Sequence, residues 1–146
     1  MTTTVSNLES LVQTAIDSAE GYERASETAN TEQLKQLLRD QAAKRRRLIS
    51  ELNQELVRIG GQAQERGSTA GSLHHVWTRL TEAFANGDEA ATDRVEEGED
   101  YIEKKFRSAL DNQDWDPRTR EVLQRAHREL AEDERLADRL EKQYDD

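Results

Sequence analysis

The chain reads as an all-α protein, a four-helix bundle, on three observations. Apolar residues recur at three-and-four spacing over four long stretches. One proline and seven glycines are spread over 146 residues, and no run of alternating β-branched residues marks a strand. With 34% hydrophobic and 36% charged residues, the core must be a narrow seam between long polar faces. That length is one domain's worth, so residues 1–146 are expected to form a single domain.

Ser6 or Asn7 is placed to cap a first helix whose buried stripe is Val5, Leu8, Leu11, Val12, Ala15, Ile16, Ala19, Tyr22 and Ala29. "NTEQ" then turns the chain, with Thr31 as the cap of a second helix carrying Leu34, Leu37, Leu38, Leu48, Leu52, Leu56 and Ile59. Gly60 and Gly61 stop it. After "GGQAQERGSTAGS", Leu73, Trp77, Leu80 and Phe84 share one face of an expected short helix, with Trp77 as its anchor. Asp88 is the expected cap of a third long helix with Ala91, Val95, Gly98, Ile102, Phe106, Ala109 and Leu110, and Gly98 permits a close approach by a neighbour. Asp116 caps the fourth, Pro117 takes its first position, and Val122, Leu123, Ala126, Leu130, Ala137, Leu140 and Tyr144 form its stripe.

Two short connections and one long one imply two antiparallel hairpins joined by a crossover. The second helix is ~40 Å long at ~1.5 Å per residue, a distance that residues 60–87 can climb. Helices two and three then run parallel, which is the ferritin-like arrangement.

A net charge of −10 repels polyphosphates, so no nucleic-acid partner is expected. No cysteine is present, which removes disulfides, thiolate metal sites and thiol nucleophiles. The first residues, "MTTTVSNLESL", lack a basic segment with an apolar run behind it, and no apolar stretch approaches ~20 residues. A cytoplasmic protein with no membrane partner is the expectation.

The run "KRRRL" places four basic side chains in an acidic chain. On a wheel at ~100° per residue, Gln41 and Arg45 fall at the centre of the buried face of helix two, Lys44 at its edge, and Arg46 and Arg47 outside it. Glu23 falls near the stripe of helix one, Glu99 within that of helix three and Asp133 at the centre of helix four, with Glu20 a further candidate at that level. A buried guanidinium needs carboxylates beside it, so the first reading is a polar layer of Arg45, Glu99, Asp133 and Gln41 that specifies register. The second is a metal site on Glu23, Glu99, Asp133 and Glu20. Di-iron bundles use Glu-x-x-His on two helices, because two hard cations need several carboxylates and imidazoles. Here Gly71, Ser72 and Gln124 stand three residues before His74, His75 and His127.

"GSLHHVWTRL", "GDEAATDRVEEGEDYIEKKFRSAL" and "LQRAHRELAEDERLADRL" resemble a family of small bacterial ferritin-like four-helix-bundle proteins known as a domain of unknown function. The resemblance covers nearly the whole chain, most strongly residues 68–110, and implies the fold and, by association, a stress-related role, but no activity. The arrangement is more distantly similar to bacterioferritins and rubrerythrins. That likeness sets Glu99 at their helix-three carboxylate and Asp133 at that of helix four, with departures at Arg45 and Leu136.

Adjacent His74 and His75 point ~100° apart and cannot clasp one ion, and His127 lies on a flank of its helix. The acids Glu96, Glu97, Asp100 and Glu103 spread around an outer face as ordinary surface pairing. The first functional expectation is a non-catalytic scaffold or interaction module without cofactor. It would self-associate, as a dimer by preference, through edge residues such as Leu11 and Ile49. The alternative is a divergent metal-binding or iron-handling oxidoreductase that takes iron or manganese.

Overall fold

The computed structural model describes residues 2–68, 83 and 87–144. Among these residues there are four helices and no strand: α1 Thr2–Thr28, α2 Glu32–Arg58, α3 Asp88–Asn112 and α4 Pro117–Tyr144. The expected short helix through Leu73, Trp77, Leu80 and Phe84, both His74 and His75, and the side chain of Tyr144 lie outside the described residues.

Each helix boundary has a local cause. α1 starts earlier than Ser6 because Val5 already packs against the core, and the Asn7 amide is committed to Gln113 beyond the end of α3 rather than to a cap. Thr31 caps α2, its hydroxyl accepting from the Leu34 N–H at 3.2 Å. At the other end Gly60 N–H donates to the Val57 carbonyl at 3.1 Å and Gly61 N–H to that of Leu56 at 2.9 Å, a Schellman closure. It needs the left-handed φ of +100° at Gly60. Asp88 is not the cap of α3 but its first helical residue; Gly87, at φ +114°, precedes it. The Asp88 carboxylate instead accepts from the Asn30 side chain at 2.9 Å, pinning the start of α3 to the end of α1. α4 begins with Pro117, and Asp116 accepts from the Thr119 N–H at 2.9 Å.

Contacts at the helix ends give the directions. Asn30 meets Asp88 and Asn7 meets Gln113, so α1 is antiparallel to α3. Arg58 at the end of α2 meets Asp116 at the start of α4, with Nη2 at 3.1 and 3.2 Å from the two carboxylate oxygens. α1 packs on α2 and α3, and α4 on α3 and α2, which leaves α2 diagonal to α3. Beyond Gly61, the chain passes Val5, then Gln13 through Gln64, then Asp17 through Ser68. Residues 61–68 therefore climb alongside α1 by about 18 Å, twelve residues at ~1.5 Å each.

The apolar interior falls into two clusters. One is rich in leucine and isoleucine, from Leu8 to Ala19, Leu48 to Leu56, Ile102 to Trp115 and Leu123 to Leu130. The other is rich in alanine, with Tyr22, Ala25, Ala29, Leu34, Leu38, Ala42, Ala83, Ala91, Val95 and Ala137. Leu11 and Ile49, expected on an exposed edge, are 2% and 6% exposed and belong to the first cluster. The stripe expected to need a second copy is thus covered by the chain's own helices. Replacing the cap at Asp116 with alanine should lower stability, since both the Thr119 N–H and Arg58 lose an acceptor. Urea unfolding checks this, with Asp111→Ala at the exposed end of α3 as the near-neutral reference.

Candidate functional site: a guanidinium layer across the core

The gap between the two clusters falls at one level on every helix: after Ala19 on α1, after Ala42 on α2, after Val95 on α3 and after Leu130 on α4. Polar side chains fill it. Arg45 is 0% exposed, as is Glu99, and Asp133 is 3% exposed. From α2, the guanidinium reaches over the bundle diagonal. Its Nη2 lies 2.9 and 2.8 Å from the two oxygens of Glu99 on α3 and 3.2 Å from Asp133 Oδ2 on α4. Nη1 donates to the Ser18 hydroxyl of α1 at 2.7 Å, so all four helices meet in this one group.

Further partners surround the layer, although Arg45 Nε finds no hydrogen-bond acceptor among the described residues. Lys44, one-third exposed at the rim, donates to Asp133 Oδ1 at 2.8 Å. The Tyr22 ring lies with its centroid 5.8 Å from Arg45 Cζ, and its hydroxyl donates to Glu99. Ser18 passes its own proton to the Ala15 carbonyl at 2.7 Å, which leaves its oxygen free to accept from Arg45. Two cations face two carboxylates, which offsets the cost of holding the charges away from water.

The electrostatics follow from this packing. Burial opposes the charge on Arg45, but Glu99 above all, with Tyr22 and Asp133, raises its pKa above the ordinary value. Burial raises the Glu99 carboxyl, and Arg45 pulls it back part of the way. Burial and the neighbouring Glu99 push the Tyr22 phenol well above its ordinary range, so it stays a donor.

Glu23 and Glu20 are not part of this site. Tyr22 takes the inward position in that turn of α1, and Glu23, ~100° further round, is exposed and clamped by Arg46 at 2.9 and 2.8 Å. Glu20 acts on the same Arg46. The four acids expected as ligands are therefore split between interior and surface. Gln41 stands beside the layer, partly buried, and its Oε1 has no hydrogen-bond partner among the described residues. His127 pairs with Glu103 at 2.7 Å on the flank of α4.

Wheel reasoning passed over Ser18, and it placed Tyr22 in the apolar stripe and Lys44 at the edge of the buried face without assigning either to the layer. The signal for Ser18 was a hydroxyl on the same stripe as Leu11, Ala15 and Tyr22. A second network, also missed, joins the helix ends: the 3%-exposed Glu55 side chain accepts from Arg58 Nε at 2.9 and 3.0 Å and from the Thr119 hydroxyl at 2.5 Å. On the surface, oxygens of Glu96, Asp100 and Glu134 lie within 4.8 Å of one another, closer than the expected spread around the helix.

The interior acids do not fit a divalent cation. Both oxygens of Glu99 accept from Arg45, and the two of Asp133 accept from Lys44 and Arg45, so a metal would have to displace these donors to reach them. A permanent positive charge stands at the same point.

Arg45→Met should lose about 3–5 kcal/mol in urea unfolding, because it strands two buried carboxylates. Arg47→Met, on the exposed face, should stay within about 0.5 kcal/mol. Equal losses at the two positions would show that the layer carries no such penalty.

Stability should also vary with pH from both ends. Burial, with Glu141, Asp100 and a hydrogen bond to Glu134, pushes the Glu96 carboxyl up to about 7. A raised folded-state pKa favours folding fully below the ordinary 4.5 and loses that contribution as pH rises through about 7. Glu55 behaves oppositely: Arg58 hydrogen bonding, with Thr119, holds its carboxyl below 4.5 against burial, so its contribution is lost as pH falls below that value. The melting temperature should therefore fall from pH 5 to pH 8, and Glu96→Gln should flatten that limb while leaving the acid limb in place.

No curated protein and no solved structure matches the chain. Residues 3–112 match a described family, a span that takes in α1 to α3 and with them Ser18, Tyr22, Lys44, Arg45 and Glu99. The chain belongs to the family described as Domain of unknown function (DUF2383).

Proposed function

We propose that the protein is a ferritin-like bundle that has exchanged a borrowed metal for a fixed guanidinium, and that it serves as a non-catalytic scaffold or interaction module. The observation that carries this reading is the position of Arg45, buried where the four helices meet and taking up the inward carboxylate oxygens of α3 and α4. The ferritin-like topology is supported by the helix directions: α1 is antiparallel to both α2 and α3, so α2 and α3 share a direction and residues 59–87 form the crossover. The climb of residues 61–68 along α1 is the first part of that return.

A scaffold needs one fixed arrangement of its helices rather than a reactive centre. The layer supplies this, since a one-turn slip of any helix separates Arg45 from a partner by ~5 Å. The alternative, an iron- or manganese-handling oxidoreductase, would require Arg45 to leave and Glu23 to turn inward against its pairing with Arg46.

Elemental analysis of protein produced with added iron and manganese tests the choice. The expected result is far less than one metal per chain, with the same trace level in Glu99→Ala. Stoichiometric metal that disappears in Glu99→Ala would replace this reading with the alternative.

A further inference from the structure

The cleft between α1 and α3 has a volume of about 720 Å³, within the range of small-molecule sites, and lies at the end of the bundle away from Asn30 and Asp88. Leu11, Tyr101 and Ala109 give it an apolar wall, and amides of Asn7, Asn112 and Gln113 rim it.

One charge in this cleft is out of balance. Lys104 pairs with Asp100 at 2.9 Å, and Glu97 pairs with Arg94 at 3.0 Å. Lys105 lines the same cleft and is partly buried, yet makes no hydrogen bond or ion pair among the described residues. The acid that acts on it is Asp17, whose carboxylate is engaged by Ser68. Burial lowers the pKa of Lys105, as it must for an ammonium deprived of water without a contacting anion.

We propose that this cleft binds a small monoanion with an apolar body, a carboxylate on a short hydrocarbon chain, with the Lys105 ammonium as its anchor. The carboxylate supplies the missing partner of a desolvated cation, and the chain lies on the apolar wall. The net charge of −10 gives such an anion no long-range attraction, so recognition is local and the affinity modest, with Kd on the order of 0.1–1 mM for a ligand of about ten heavy atoms. A ligand of the same length carrying an ammonium group meets Lys105 head-on and is refused.

The test is a titration of the full chain with sodium octanoate and with octylammonium chloride, followed by amide chemical shifts. Octanoate should shift Leu11, Lys105 and Ala109 saturably, and octylammonium should leave them unmoved. Lys105→Met, which keeps the apolar stem, should weaken octanoate at least tenfold, whereas Lys105→Arg and Lys104→Met should change it less than about threefold. Equal binding of the two probes, no saturable shift in the cleft, or unchanged affinity in Lys105→Met would each overturn the proposal.

Discussion

A guanidinium buried at the meeting point of four helices constrains everything around it. Arg45 lies on the bundle diagonal from Glu99, and the long arginine stem spans that distance from α2 while its planar head still meets Glu99, Asp133 and Ser18 together. Lysine would bring a point charge on a shorter reach and could not face three helices at fixed angles. Four helix registers therefore become one choice. The apolar stripes above and below tolerate sliding far better, because one leucine packs against another with little directional preference.

The two halves of the core do different jobs on either side of this layer. On one side, Leu8, Ile16, Leu52, Leu56, Ile102, Phe106 and Leu130 bury large apolar side chains. On the other, Ala25, Ala29, Ala42, Ala91 and Ala137 bury little each but let backbones approach closely. Arg45 sits where the leucine side ends and Tyr22 where the alanine side begins, which brings the guanidinium carbon to 5.8 Å from the ring centroid. The end with the larger side chains is also the one locked by Glu55, Arg58, Asp116 and Thr119, which ties the last turn of α2 to the first of α4.

Most of this frame was legible in the residues because it rests on period. Three-and-four spacing locates the helices, Thr31 and Asp116 are caps of the usual kind, and Gly60 meets a backbone demand that any sequence with a Schellman end must satisfy. The inward aim of Arg45, Glu99 and Asp133 follows from the same wheel. What the wheel could not see was competition within a turn. Glu23 lost the interior to Tyr22, one residue away, since a ring that buries apolar area outweighs a carboxylate that must be paired to enter. Asp88 likewise found a partner in Asn30, on another helix, in place of its own backbone. Leu11 and Ile49 looked like an edge because a wheel shows one helix at a time, whereas burial depends on what two neighbours cover. The clustering of Glu96 and Asp100 with Glu134 is likewise a meeting of two helices.

The layer also bears on how much of the chain makes the fold. The family match ends at residue 112, at the last turn of α3, yet the buried faces on either side of that point are not closed there. α3 packs chiefly on α4, and Ile102 and Phe106 share their cluster with Leu123, Ala126 and Leu130. Without α4, Arg45 would keep Glu99 but lose Asp133, and Lys44 would lose the acid that holds it at the rim. Residues 3–112 thus carry both cations, one of the two acids and the hydroxyls of Ser18 and Tyr22, while charge balance in the layer arrives only with the fourth helix. The physical unit is the closed layer, and its boundary lies beyond that of the family match.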